Sequence, residues 1–302
     1  MIFPLIIHNN THDMTTLTSL YGQIEFGEGF PTLLINDSLM IRDDIPQVLD
    51  ELRDGKIEAI VDQARRGKKY GLNVVNILIS HQDVDEVNLL PCITKTVMED
   101  VGCFVCLDSR NPDALEATFH EMRPYKLMIN SVTAEPESMD IMLPMAAKYH
   151  AALIVMPMGL GEGIPNTVEE RLEAAKTVIK RAEGMGISRD DLVIDGMVLA
   201  TAVEPDSMIV TLETLRALVD ELNVTTILGI ENAGHFMPLR TAIDMAFLIS
   251  AIPWGMHAAQ VNPDMPGLLD TVLAADFLNN RDPYGKRLIS YYRSTRARSK
   301  SG

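Results

Sequence analysis

Short apolar runs alternate with longer amphipathic segments along most of the chain. The amphipathic segments have apolar residues at every third or fourth position, which is typical of one face of a helix. The apolar runs have the length and composition of buried strands, and they occupy residues 32–36, 72–79, 104–107, 126–129, 151–156, 192–194, 227–230 and 258–261. The pattern therefore predicts eight strand-then-helix units in sequence.

Eight such units in order predict an α/β protein with a parallel sheet and right-handed crossovers. The sheet closes most simply into a (β/α)8 barrel, for which 302 residues are sufficient. A doubly wound open sheet with two extra units is the alternative. Dinucleotide binding gains no support, because no Gly-x-Gly-x-x-Gly follows the first strand, and Gly159, Gly161 and Gly163 have a different spacing.

Local signals place several helix boundaries. Asn111 followed by Pro112 has the order of an N-cap and a first-turn proline. Thr167 with Glu170 fits a capping box. The apolar positions between residues 45 and 66 predict one long helix after the first strand.

Both ends of the chain lie outside the eight units. Residues 1–30 have no helical period, and their Thr, Asn, Gly and Pro content predicts a short hairpin or an extended arm. We therefore divide the chain into a short N-terminal extension (1–30), a barrel (31–283) and a basic C-terminal tail (284–302). The tail has no acids, which fits either a solvated terminus or a segment that docks to an acidic partner or a neighbouring subunit.

Charge and hydropathy limit the possible partners. The formal net charge is -16 at pH 7, and phosphate binding needs a basic face, so no nucleic acid is expected as a partner. The longest apolar run falls well short of the roughly 18 residues that a membrane span needs. The N-terminus lacks the basic and apolar regions of a secretion signal. We expect a cytoplasmic protein that does not enter a membrane.

The cysteines indicate thiols rather than a metal site. Cys92, Cys103 and Cys106 are an odd and sparse set, which suits a reducing compartment. Cys103 and Cys106 lie in or beside the third strand, where residues three apart point to opposite faces. A four-thiolate zinc site needs a second Cys-x-x-Cys pair, and the chain has none. We therefore predict buried thiols at this pair and no protein-bound metal.

Polar side chains end four of the predicted strands. Asp108, Asn130, Asp195 and the pair Glu231-Asn232 each follow an apolar run directly. Any one of them is explained equally well as a turn former or an N-cap. As a set they are expected to converge, because the carboxyl ends of parallel strands meet at one mouth. Carboxylates accept two adjacent N–H donors and carboxamides both donate and accept, so the mouth is predicted to bind a heterocycle of the 2-amino-4-oxo type.

Four segments carry a resemblance to a known family. They are Cys106-Leu107-Asp108-Ser109, Met128-Ile129-Asn130-Ser131, Ile194-Asp195 and Leu228-Gly229-Ile230-Glu231-Asn232. In this order and spacing they resemble the pterin-binding methyltransferases that move a methyl group between methyltetrahydrofolate and a corrinoid protein. Gly163-Ile164-Pro165 and Arg240, which follows Asn232 by eight residues, are also similar to that family.

The resemblance implies a TIM barrel, usually a homodimer, with tetrahydrofolate or 5-methyltetrahydrofolate bound as substrate in the mouth. A partner corrinoid protein would carry the cobalamin cofactor and present it above the mouth. Asp108, Asn130 and Asp195 would hold the pterin ring, and Asn232 would reach N5 as the catalytic residue with a polarising role. Arg240 would lie near the outer part of the folate; it is otherwise a cation on a helix surface.

Two departures from the family narrow the expected reaction. The first strand leads into Asn36-Asp37-Ser38 rather than Gly-Glu-Arg-Ile-Asn, and the second reads Asn76-Ile77-Leu78 rather than Asp-x-Asn. The related dihydropteroate synthases use that second motif and a lysine after the seventh strand, whereas this chain has no lysine between Lys180 and Lys286. We expect transfer from methylcorrinoid to tetrahydrofolate in a demethylation pathway. The alternatives are a dihydropteroate synthase-like enzyme and a folate-binding subunit without turnover.

Overall fold

The computed structural model describes residues 14–161 and 163–301, with side chains to residue 295. The strands of this part are β1 Met14–Ser19, β2 Gly22–Gly27, β3 Leu33–Met40, β4 Val74–Leu78, β5 Phe104–Asp108, β6 Met128–Val132, β7 Ala152–Val155, β8 Leu192–Asp195, β9 Thr225–Gly229 and β10 Ala258–Val261. Its α-helices are α1 Pro46–Arg53, α2 Glu58–Lys69, α3 Glu86–Thr96, α4 Pro112–Glu121, α5 Pro136–Tyr149, α6 Val168–Gly184, α7 Ser207–Ala217, α8 Arg240–Ala251, α9 Leu268–Leu278 and α10 Lys286–Ser301.

Strands β3 to β10 form a closed parallel barrel. Each strand pairs with the next one in the chain, and β10 closes the barrel by pairing with β3 through Ala258 and Leu33. Helices follow the strands and cover the outside of the barrel. The predicted (β/α)8 barrel is confirmed, and the doubly wound open sheet is wrong, because an open sheet would leave two edge strands unpaired.

Three predicted element boundaries are wrong. The fourth barrel strand does not end at Asn130 but continues to Val132, past a register shift in its pairing with β7. The segment predicted as one helix over residues 45–66 is split into α1 and α2, because Gly55 has a φ of 73° that ends the first helix. The first barrel strand does not end at Asn36 but continues to Met40. Its pairing with β4 shifts register between Asn36 and Leu39, so a bulge carries the strand past the polar residues.

The predicted helix starts are present. The Asn111 side chain accepts hydrogen bonds from the backbone N–H groups of Asp113 and Ala114 at the start of α4. At the start of α6, Thr167 and Glu170 form a capping box in which each side chain accepts from the other residue's backbone. These caps fix where two of the helices leave the mouth of the barrel.

Alternation along the strands divides the core into two layers. One set of side chains packs outward against the helices, and the other fills the barrel interior. Cys103 belongs to the outer layer and Cys106 to the interior, and both are fully buried. The prediction of buried thiols on opposite faces is therefore confirmed.

An antiparallel hairpin of β1 and β2 closes the end of the barrel opposite the mouth. Leu17 and Phe26 are fully buried in the same cluster as the interior residues of the barrel. Thr18 donates its backbone N–H to Lys126 O at 3.0 Å, just before β6. The rest of the predicted extension, residues 1–13, lies outside the described residues. The hairpin therefore leaves the carboxyl ends of the strands as the open end of the barrel.

The basic tail is helical over Lys286–Ser301. Asp282 accepts from the backbone N–H groups of Arg287 and Leu288, and Arg287 pairs with the fully buried carboxylate of Asp276 at 3.2 Å. Asp276 also accepts from the backbone N–H and hydroxyl of Thr32, directly before β3. The start of the tail is thus tied to the first barrel strand. None of the helices described has both the length and the apolar character needed to cross a bilayer.

We expect Phe26→Ala to lower the free energy of unfolding by about 3–5 kcal/mol, because it leaves a cavity between the hairpin and the barrel interior. Chemical denaturation followed by circular dichroism measures this loss. Leu20, which is 55% exposed in the hairpin turn, supplies the control: Leu20→Ala should change stability by less than about 0.5 kcal/mol. Equal effects of the two substitutions would mean that the hairpin does not seal the barrel.

The polar mouth of the barrel as candidate active site

Eight residues at one level of the barrel, here called the mouth ring, define the candidate site. Each lies two residues after an interior apolar side chain, and side chains two apart on a strand share a face. The interior residues are Ile35, Val74, Cys106, Met128, Ile154, Val193, Ile227 and Ala258. The mouth ring is Asp37, Asn76, Asp108, Asn130, Met156, Asp195, Gly229 and Gln260. The ring holds three carboxyls, three carboxamides, one thioether and one glycine.

A cavity of about 230 Å³ lies over this ring. Its walls are Asp37, Asp108, Arg110, Asn130, Ser131, Met156, Asp195, Gly229, Glu231, Asn232 and Gln260. The structure thus brings together Asp108, Asn130, Asp195 and Asn232, four of the five residues predicted to hold the substrate. With four acids and one arginine in its walls, the cavity favours a ligand that offers N–H donors or positive charge.

One hydrogen-bonded chain links four members of the mouth ring. Asn76 Nδ2 donates to Asp37 Oδ1 at 2.8 Å and to Asp108 Oδ2 at 3.1 Å. Asn130 Nδ2 donates to the same Asp108 oxygen at 2.9 Å. Both donors act on Oδ2 of Asp108, which leaves Oδ1 as the oxygen for a ligand. Asn76 lies below the cavity and fixes the two carboxyls that flank it.

The bulge in β3 sets the direction of Asp37. Asn36 Oδ1 accepts from the backbone N–H of Ser38 at 3.0 Å and from its hydroxyl at 2.7 Å. Asn36 Nδ2 donates outward to Gln63 O on α2 at 3.2 Å. An added Cβ on Gly67 would lie 2.2 Å from Asn36 Nδ2, so only glycine allows α2 this close. The bulge therefore turns Asp37 into the barrel and Asn36 out of it.

Asp195 is held from below by the loop that follows it. Its Oδ1 accepts from the backbone N–H of Met197 at 2.7 Å. Arg171, fully buried on α6, donates to Gly196 O at 2.9 Å and to Pro165 O at 3.2 Å. Arg171 thereby connects the loops after β7 and β8, and its charge acts on Asp195.

Asn232 lies on a short 3-10 turn after β9, beside the ring position that has no side chain. An added Cβ on Gly229 would lie 3.5 Å from Asn232 Nδ2 and 3.9 Å from Gln260 Oε1. Two carboxamides therefore lean over Gly229. Glycine at this position leaves the space above it open to a ligand.

Arg240 lies at the start of α8, outside the cavity walls. Its Nη2 donates to Glu231 O at 2.9 Å, and its Nε is 3.6 Å from the Asp244 carboxylate. Asp244 in turn accepts from the backbone N–H of Gly234 at 2.7 Å. Arg240 and Asp244 thus brace the loop that carries Asn232. The predicted contact of Arg240 with the outer part of a folate remains a prediction.

Burial raises the pKa values of the three mouth carboxyls. It raises the pKa of Asp37 to about 7, helped by the charges of Asp108 and Glu231 and opposed by the hydrogen bond from Asn76. It raises the pKa of Asp195 to about 6 against the Met197 N–H and the Arg171 charge. Burial also raises the pKa of Asp108. A ligand that donates N–H groups to these carboxyls would stabilise their ionised forms and lower these pKa values.

Sequence reasoning missed Asp37, Asn76, Met156 and Gln260 as site residues. It searched for polar residues at the ends of apolar runs, and Asp37 and Asn76 lie within strands. Gln260 also lies within a strand, because the last apolar run continues past it to Val261. The usable signal was the two-residue period: counting two positions on from each interior apolar residue finds all of them.

We expect Asp37→Asn to stabilise the protein at both pH 5 and pH 8, and to stabilise it more at pH 8. The folded-state pKa of Asp37 lies above its unfolded value of 3.8, so the folded protein holds a proton between these values. That contribution is fully present below the unfolded pKa of 3.8, is partly lost at pH 5, and is lost completely once pH has risen through about 7. Asparagine removes the ionisation, with a gain of about 1–3 kcal/mol at pH 8. Thermal melts at both pH values measure it; equal gains at both would contradict the assignment.

The chain is similar to known proteins both in sequence and in fold. The chain is 25% identical over 253 residues to the methylcorrinoid:tetrahydrofolate methyltransferase of Eubacterium limosum, covering 82% of this chain and 92% of that protein. Its fold is similar to dihydropteroate synthase of Xanthomonas albilineans in complex with 7,8-dihydropteroate, with a TM-score of 0.65, 19% identity, and 87% and 98% of the two chains covered.

A second solved dihydropteroate synthase is also similar to this chain in fold. The dihydropteroate synthase of Thermus thermophilus, in complex with 6HMPPP, has a TM-score of 0.63 and 18% identity, with 87% of this chain and 99% of that chain covered. At these identities the two structures show the fold alone. The family model of pterin binding enzymes matches residues 47–262, most of the chain and all of the mouth ring except Asp37. The chain therefore belongs to the pterin binding enzyme family.

Proposed function

We propose that the protein is a methyltransferase that moves a methyl group from a methylated corrinoid protein to N5 of tetrahydrofolate. The observation that carries the proposal is the mouth ring, with carboxyls on three strands and carboxamides between them. This set of acceptors and donors suits a 2-amino-4-oxo heterocycle, which offers adjacent N–H donors and a carbonyl acceptor. The Eubacterium limosum relative, by its name, acts on methylcorrinoid and tetrahydrofolate.

The side chains of the mouth ring account for the binding of the pterin in this proposal. Asp108, Asn130 and Asp195 lie on three walls of the cavity and would hold the pterin through its N–H groups. Hydrogen bonds to charged groups contribute about 1.5–3 kcal/mol each, so these contacts select the ring system. The narrow cavity leaves the folate tail to extend out over the rim, where Arg240 carries a charge that suits an anionic tail.

The chemical step is a displacement at the methyl carbon. The N5 lone pair forms the new C–N bond, the cobalt–carbon bond breaks with its electron pair remaining on the corrinoid, and N5 then releases its proton. The protein contributes position and exclusion of water more than acid–base chemistry. Asn232, beside the open space over Gly229, is placed to polarise N5 by rotating its amide between donor and acceptor. It is the catalytic residue of the proposal.

A dihydropteroate synthase activity gains no specific support from the site. The second-strand motif of those enzymes is replaced by Asn76-Ile77-Leu78, and no lysine lies between Lys180 and Lys286. The solved dihydropteroate synthases are similar in fold alone. A folate-binding subunit without turnover shares the same ring, and only an assay for methyl transfer separates it from the enzyme.

The proposal also includes a localisation, an oligomeric state and a partner protein. The protein would act in the cytoplasm as a homodimer, with the corrinoid protein as its partner above the mouth. The corrinoid is a substrate delivered by that partner. Within the described residues, His, Cys, Asp and Glu side chains form no group of three or more that is placed to hold a metal ion.

The decisive assay follows the visible spectrum of a methylated corrinoid protein without oxygen. We expect the methylcobalt band to disappear only when the protein and tetrahydrofolate are both present. Omitting each component in turn is the control. If the band persists with every component present while tetrahydrofolate still binds, the chain is a folate-binding subunit without turnover.

Asn232→Ala should lower the rate of methyl transfer about 10- to 100-fold, because it removes the group that polarises N5. The dissociation constant for tetrahydrofolate should change much less, since three other groups hold the ring. Single-turnover spectra give the rate, and titration calorimetry gives the affinity. Asn88→Ala, on the exposed surface of α3, is the matched control and should leave both unchanged. Equal losses in rate and affinity would refute the polarising role.

A further inference from the structure

Gln260 has a side chain whose hydrogen-bonding groups the protein itself does not use fully. It lies on β10 in the mouth ring and is 9% exposed. Its Nε2 is enclosed and has no hydrogen-bond partner within the described part of the chain. A buried amide donor without an acceptor costs free energy, so such groups nearly always find a partner in the functional state.

The position of Gln260 shows where that partner would lie. Its Oε1 is 3.9 Å from the point that a Cβ on Gly229 would occupy, and Asn232 Nδ2 is 3.5 Å from the same point. Both amides therefore reach over the ring position without a side chain. A 180° turn of the Gln260 amide about its last torsion places Nε2 where Oε1 now lies, facing the cavity.

The chemistry of the heterocycle supplies a matching acceptor. In a 2-amino-4-oxo ring the carbonyl oxygen on C4 lies between the N3–H group and N5. Asp195 lies on β8, adjacent to β9, and as a carboxylate it would accept from N3–H and the 2-amino group. If N5 lies at Asn232, as proposed, the C4 oxygen would face the gap over Gly229. The amide that leans into this gap from the next strand is that of Gln260.

We propose that Gln260 donates a hydrogen bond to the C4 oxygen of the substrate and sets its preference for a 4-oxo over a 4-amino ring. The inference rests on the proposed function, because it assigns a further residue to the same site. In this proposal the C4 edge of the ring is recognised by a neutral amide rather than by a cationic side chain. A carbonyl oxygen only accepts and an amino group mainly donates, so the residue opposite decides between them.

The test compares tetrahydrofolate with its 4-amino counterpart, tetrahydroaminopterin, by calorimetric titration without oxygen. Gln260→Met, similar in length but without the donor, should weaken tetrahydrofolate binding about tenfold and change binding of the amino compound less than about threefold. Gln260→Glu, which accepts instead of donating, should shift the ratio of the two affinities by at least about tenfold toward the amino compound. The amino compound also lacks N3–H, so the change in this ratio, rather than its wild-type value, reports on Gln260.

Met156→Leu is the matched control, because it changes a mouth ring residue that has no amide. It should weaken both compounds alike and leave the ratio unchanged. Parallel losses for both compounds in the Gln260 variants would overturn the inference while leaving the proposed function intact. If the wild-type protein binds neither compound, the proposed function fails, and the inference fails with it.

Discussion

Closure of the parallel barrel is the constraint on which the rest of the structure depends. Because β10 pairs with β3, all eight strands have two neighbours, and their alternating side chains are forced either inward or outward. The inward residues stack in levels, with apolar side chains below and the mouth ring above. The site is thus one level of the barrel interior at which six of the eight residues are polar. The positions of the mouth ring residues are therefore fixed by the pairing of the strands that carry them.

Polar side chains at this level have an energetic cost that the surrounding structure offsets. Three carboxyls share a small enclosed space, and burial raises the pKa of each. Asn76 and Asn130 donate to two of them, and the Met197 backbone and the Arg171 charge support the third. Asn76 and Asn130 lie on strands and Arg171 lies on α6, whereas the Met197 N–H belongs to the loop after β8. The arrangement keeps the three carboxyls in place as acceptors for a ligand that donates N–H groups.

The sequence allowed the barrel and three of the eight mouth ring residues to be predicted, together with Asn232 beside the ring. Asp108, Asn130 and Asp195 were recognisable because in each case an apolar run stops where the polar residue begins. Asp37 was missed because a bulge, invisible in the hydrophobic pattern, lets β3 continue past it. Gln260 was missed because it lies within a run of small apolar residues. Gly55 was overlooked as a helix end because the apolar period continues on both sides of it.

The hairpin that closes the far end of the barrel has a consequence for the order of events. With Leu17 and Phe26 sealing that end, the mouth is the only route between the ring and solvent that the described barrel offers. Under the proposed function, tetrahydrofolate would therefore enter before the corrinoid protein covers the opening, and the methylated product would leave after that partner. The proposed reaction would then follow a compulsory order, with the small molecule first to bind and last to leave.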